Sequence, residues 1–94
     1  AQSLGKIPVD VKEMGVKLLS IAGHKLYAPK GIGALFIKRG TVLAKQIHGA
    51  NHEQNLRAGT ENVLEIVGLG KACEIAKRDL QKNMKHLKEM RDRL

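Results

Sequence analysis

The sequence predicts an α/β unit that is incomplete as a fold, with two short strands, one short helix and one long helix. Three observations predict it. Two apolar runs, residues 16–22 and 33–38, flank a loop rich in glycine with one proline. Apolar side chains recur at helical spacing through the last third of the chain. Nothing else in the 94 residues reads as a strand, so the sheet these two begin is not closed. A lone pair of strands is only marginally stable in water. The chain is therefore expected to belong to a larger α/β domain, starting and ending inside it.

Each element has a local reason. Residues 8–15 read as one short helix, with Asp10 as N-cap, Glu13 at the reciprocal capping position and Gly15 to end it. Residues 16–22 are apolar at both parities apart from Lys17 and Ser20, the pattern of a strand covered on both faces. Residues 23–31 form the loop that follows. Residues 33–38 are the second strand, closed by Arg39 and Gly40, and sequential strands of this kind commonly pair. Residues 46–61 show no period and read as a long loop, a class usually functional or disordered. Asn62, with Glu65 three residues on, has the spacing of a helix start. From there Ile66, Leu69, Cys73, Ala76, Leu80, Met84, Leu87 and Leu94 recur mostly in steps of three and four. The half from 63 to 76 is apolar on nearly all sides and is expected to be buried. From Lys77 a single stripe remains, so that half is expected along the surface.

Composition excludes several classes. No run approaches the ~18 consecutive apolar residues of a membrane span, and no secretion signal is visible at the start. Cys73 stands alone, which favours a reducing compartment. The formal charge of +8 raises the question of nucleic acid. Residues 77–94 hold seven Lys/Arg against three Asp/Glu, mixed around a helix rather than clustered. Tyr27 and Phe36 are the only aromatics, so stacking platforms are missing. A solvated helix face is the preferred reading of that charge.

The densest chemical signal is Ser20-Ile21-Ala22-Gly23-His24-Lys25. An apolar strand delivers a His-Lys pair to a tight loop, and an apolar strand leads away. A lysine ammonium loses its proton readily when desolvated, and the free amine condenses with aldehydes. Competing signals are weaker. Gly31-Ile32-Gly33 precedes a strand and lacks the third glycine of a dinucleotide fingerprint. His48, His52 and Glu53 make a poor zinc set without cysteine or aspartate. No serine nucleophile elbow is present.

Four stretches together resemble cysteine desulfurases, pyridoxal-phosphate enzymes of the class V aminotransferase group, with selenocysteine lyases as near relatives. They are Gly23-His24-Lys25 with Pro29-Lys30-Gly31-Ile32-Gly33, Ala1-Gln2-Ser3-Leu4-Gly5-Lys6, His48-Gly49-Ala50-Asn51-His52-Glu53, and Arg57-Ala58-Gly59-Thr60-Glu61-Asn62. They stand in the family's order and leave only the charged C-terminal third generic. The resemblance implies that residues 1–94 are part of the single large cofactor domain of an aspartate-aminotransferase-like, fold type I enzyme.

It also implies roles. Lys25 matches the catalytic lysine that joins the cofactor's aldehyde and later moves protons. His24 matches a phosphate-contacting histidine, and Gln2 a glutamine that donates to the phenolic oxygen. Thr60 matches a threonine that reaches across a homodimer interface to the neighbouring subunit's cofactor phosphate, and Arg57 adds positive charge there. No metal is implied. The aspartate for the ring nitrogen is expected two residues before Ala1. The sulfur-accepting cysteine and the substrate-binding arginine are expected beyond Leu94, so the segment alone is expected to be inactive. The implied reaction removes sulfur from L-cysteine, giving alanine and a persulfide that passes to an acceptor protein for iron–sulfur clusters or other sulfur transfer. The implied setting is the cytoplasm, or a mitochondrion or plastid that assembles such clusters.

Alternatives stay open at this point. Lys25 is also what a surface lysine in a turn looks like. His24 is compatible with a satisfied half-buried histidine, and Thr60 with a residue that helps cap the helix. The whole is compatible with selenocysteine as substrate, or with a basic scaffold module that has lost catalysis. Two residues depart from the pattern. Ala22 stands where many relatives have Ser or Thr that binds phosphate, a loss of ~1 kcal/mol by the usual hydrogen-bond figure. Ala28 stands where they often have Gly.

Overall fold

A computed structural model describes residues 1–94. The two apolar runs pair as an antiparallel hairpin of β1 (Leu18–Ala22) and β2 (Gly33–Ile37), with Leu18 opposite Ile37 and Ala22 opposite Gly33. Hydrogen bonds extend the ladder beyond both ends, from Gly23 N to Ile32 O at 2.9 Å and from Lys38 N to Lys17 O at 2.8 Å. A 3-10 turn, Gly23–Leu26, follows β1 directly. Further on come a four-residue turn, α1 (His52–Asn55), and the long helix α2 (Val63–Arg91).

The expected short helix near the N-terminus is a single turn. Asp10 does cap it, its Oδ1 accepting from Lys12 N at 2.7 Å and Glu13 N at 3.3 Å. Gly15 does end it, at φ 64°. Cap and stop stand too close for a second turn, and short isolated helices are marginal.

What packs is small and specific. Leu26, Ala28 and Leu69 form the buried centre, with Leu4, Ile21, Ile32, Ala72, Cys73 and Ala76 half-buried around it. The long helix therefore packs chiefly against the turn that carries Lys25, not across the hairpin. The helix comes close there because Gly68 has no side chain. A Cβ at Gly68 would lie 2.9 Å from Pro29 Cγ.

The expectation that residues 63–76 are buried is overturned. Only Leu69 is buried in α2, while Leu64 is 86% exposed and Val67 66%. The first strand, expected to be covered, is open too, with Leu18 exposed, and so is the second at Leu35. A hairpin and one helix offer too little surface to cover either element. A compact domain of this size exposes about 5,400 Å², against 7609 Å² here. Its radius of gyration is about 12 Å, against 15.8 Å here.

Leu26 is thus expected to matter more than any exposed aliphatic residue. Leu26→Ala should cost about 2–5 kcal/mol, read as a lowered midpoint in chemical denaturation. Val42→Ala, at a side chain 93% exposed, should stay within about 0.5 kcal/mol of the parent.

Candidate functional site

The site begins with the backbone around Lys25. Gly23 O accepts from Ala28 N at 3.1 Å and from Tyr27 N, and Tyr27 takes the left-handed conformation at φ 61° to close the turn. Gly23 admits no side chain: a Cβ would stand 2.6 Å from Ile32 O and 2.8 Å from Ile32 Cγ2. Leu26 and Ala28 point inward and are buried, while His24, Lys25 and Tyr27 are left exposed. The turn is held by the residues that face the core, and the polar head groups beside them stay free.

Lys25 takes part in no ion pair and no side-chain hydrogen bond. It lines a cleft of about 150 Å³ between the turn and α2, with Lys6 and Tyr27 on its own side and Ala72, Ile75 and Asn83 across from it. The Lys6 ammonium lies over the Tyr27 ring, 5.1 Å from its centre, within cation–π range. Gln2, His24 and Thr60 do not line this cleft. Gln2 is exposed on the coil before a turn in which Lys6 N and Ile7 N both donate to Ser3 O.

Two of the open readings close. His24 is exposed rather than half-buried and satisfied. Thr60 does not cap α2: the N-cap is Asn62, whose Oδ1 accepts from Glu65 N at 3.4 Å. The Thr60 side chain is exposed and makes no hydrogen bond within the chain. Cys73 sits half-buried in α2 against the core.

The loop before Thr60 is built in a way the sequence did not announce. Glu53, Gln54 and Asn55 take positive φ of 49°, 59° and 64° in succession, at about 1–2 kcal/mol for each residue. Lys45 Nζ lies 3.0–3.2 Å from four oxygens: Gly49 O, Ala50 O, Asn51 Oδ1 and Asn55 Oδ1. Ala58 N donates to Ile47 O at 3.0 Å. Arg57 pairs with Glu53 at 3.5 Å and donates to Ala58 O at 3.1 Å and Gly59 O at 2.5 Å. Backbone N–H groups, its own first, hold the Glu61 carboxyl below the usual carboxylate range, and His52 and Arg57 add attraction. Glycines and asparagines at 49, 51 and 55 were the only sequence hint of such turns. A lone lysine ten residues before Asn55 gave none.

The structure is thus an α/β segment with an exposed, unpaired lysine on a strand-to-turn junction, backed by one long helix. The chain belongs to the class-V aminotransferase family, whose model matches residues 1–94. It is 54% identical over 91 residues to the cysteine desulfurase IscS of Dictyoglomus turgidum, which covers 97% of this chain and 23% of that protein. Its fold matches a solved NifS-like protein with a TM-score of 0.92 at 39% identity, over 98% of this chain and 25% of that one. A structure of SspA in complex with cysteine matches with a TM-score of 0.74 at 47% identity, over 79% of this chain and 22% of that one. The expected fold class, a fold type I α/β segment with two strands and a long C-terminal helix, is the one observed. The chain spans about a quarter of the length of these relatives.

The two residues at the helix start are expected to separate cleanly. Asn62→Ala should cost about 1 kcal/mol through the lost cap, and Thr60→Ala should cost no more than about 0.5 kcal/mol. Denaturant melts of both variants check this; equal losses would return a capping role to Thr60.

Proposed function

We propose that residues 1–94 are the cofactor-anchoring part of a single large domain in a pyridoxal-phosphate-dependent cysteine desulfurase. The observation that carries this is the unpartnered Lys25 amine on a turn whose backbone is fixed. The similarity to IscS and to NifS-like proteins supports it, and so does a relative solved with cysteine.

The residues present fit the cofactor in kind. Lys25 offers an amine for an aldehyde, His24 and Thr60 offer free donors suited to a phosphate, and Gln2 offers an amide N–H for a phenolic oxygen. They do not complete its site. The cleft beside Lys25 is about 150 Å³, below the ~300–1,000 Å³ of ordinary ligand pockets. Further walls must come from other parts of a protein of the relatives' length. The open faces of the hairpin and of residues 63–67 suit contact with those parts.

When bound, pyridoxal phosphate supplies an electron-withdrawing ring that stabilises charge developing on the substrate. The chain's own residues do the rest of what is proposed here. Lys25 Nζ would hold the cofactor through its aldehyde and, once free again, would carry protons. Gly23 lets the turn close tightly enough to fix where that nitrogen sits. His24 donates toward the phosphate and offsets part of the donor missing at Ala22. Thr60, free and outside the Lys25 cleft, serves the phosphate held by a second subunit of a homodimer. The substrate is L-cysteine, and its sulfur passes to a thiolate other than Cys73, which is packed into α2, then to an acceptor protein. A reducing compartment, cytoplasm or cluster-assembling organelle, suits that chemistry.

The test is spectroscopic. The full-length protein purified with pyridoxal phosphate should show a visible absorption band from the cofactor joined to Lys25, and Lys25→Ala should abolish it. A band that persists in the variant, unchanged in position, would overturn the proposal.

A further inference from the structure

The geometry points to Lys45 as a positioning residue: its ammonium is an internal cation around which the loop carrying Arg57 and Thr60 is folded. The Thr60 part of this rests on the function proposed above. The loop part rests on geometry alone. An ammonium has three N–H groups, and here four oxygens lie within 3.0–3.2 Å, so its donor capacity is fully used. All four acceptors are neutral carbonyl oxygens, and no carboxylate competes. They come from residues 49, 50, 51 and 55, so one cation ties together the approach to the left-handed turn and its last residue. Lys45 itself is half-buried, unlike a lysine that reaches into water.

A second set of contacts takes over along the chain and extends to the residue before Thr60. The turn held by Lys45 contains Glu53, which pairs with Arg57 at 3.5 Å. Arg57 gathers the carbonyls of Ala58 and Gly59, the two residues before Thr60. Ala58 N closes back on Ile47 O, two residues after Lys45. The backbone that leads into Thr60 is thus held by polar contacts of two cations, Lys45 on the turn and Arg57 on the residues after it. The cage suits a compact head group. A guanidinium is a planar fork and does not reproduce it.

Hydrogen exchange of backbone amides in the full-length protein without cofactor tests the loop. In Lys45→Met and in Lys45→Arg, amides 47–59 should exchange at least about tenfold faster, as expected for loss of charge-assisted bonds, while amides around Leu69 keep parental rates. Parental exchange at 47–59 in Lys45→Met overturns the inference. Slow exchange in Lys45→Arg overturns the claim for a compact cation, and equal acceleration around Leu69 overturns a role confined to the loop. Asn55→Ala should add little to Lys45→Met; full additivity would deny that the two share one network.

Pyridoxal phosphate titrations separate this from the functional reading. Both Thr60→Ala and Lys45→Met should weaken cofactor binding, by a similar factor. Weakening by Thr60→Ala alone overturns the positioning role of Lys45 and leaves the Thr60 assignment in place. No weakening by Thr60→Ala overturns that assignment and leaves the loop result to stand on exchange.

Discussion

The packing of Leu26 and Ala28 against Leu69 is the contact on which the rest of the structure depends. It is the only place where the hairpin's connection and the long helix exclude water together. Full burial of a leucine is worth about 1.5–3 kcal/mol, so this small centre holds a large share of what keeps the turn in place. Everything chemical sits on its rim. His24 and Lys25 precede Leu26 directly, and Tyr27 separates the two inward-facing residues. Gly5 is pressed onto Leu26, where a Cβ would stand 2.6 Å from Leu26 Cδ2, so the N-terminal turn below Gln2 is docked on the same side chain. A single apolar anchor therefore fixes the backbone beside two proposed cofactor residues and leaves their head groups free.

Two lysines show opposite uses of the same side chain. Lys45 has four oxygens around its nitrogen and no freedom. Lys25 has no ion-pair or side-chain hydrogen-bond partner within the chain, which leaves its amine free for the role proposed above. Four basic residues of α2 sit in solvated pairs, among them Lys71 with Glu74 at 2.9 Å and Arg78 with Asp79 at 2.8 Å. The Arg78 guanidinium holds the Asp79 carboxyl below its usual range. Exposed pairs of this kind contribute about 0–1 kcal/mol. They alternate the sign of charge along the helix, as on an ordinary solvated face.

Much of the fold was legible because its signals are local. Asn62 with Glu65 marks the start of α2 to the residue, and Gly15 marks the end of the first turn. Both strands lie inside their expected runs, shorter by two residues at the start of one and by one at the end of the other. Burial was not legible. The apolar character of 63–76 records surfaces that have to be covered, but which partner covers them is not written in the helix itself. The Lys25 junction stood out because strand, glycine and His-Lys are contiguous. The Lys45 cage did not, because its acceptors are mostly main-chain oxygens and any sequence has those. Likewise Glu53 and Gln54 are poor candidates for positive φ, and only Asn55 tolerates it well. Long-range geometry forces that turn, against local preference.

That mismatch is itself informative about where the molecule concentrates its constraints. Three successive side-chain-bearing residues in the left-handed region persist only where the surroundings over-determine them. Here the surroundings are a cation with four ligands on one side and an Arg57–Glu53 pair on the other. Both devices act on fifteen residues of loop that bury almost nothing. A segment with so little apolar burial has no hydrophobic reason to adopt one conformation, so polar contacts must set it. Those contacts converge on the carbonyls just before Thr60, a residue whose hydroxyl the chain itself does not use. Order imposed at such cost around an unused donor makes sense when the donor's partner lies outside the chain. Thr60 does not line the Lys25 cleft, so the loop and the turn present their free donors at separate places on the chain.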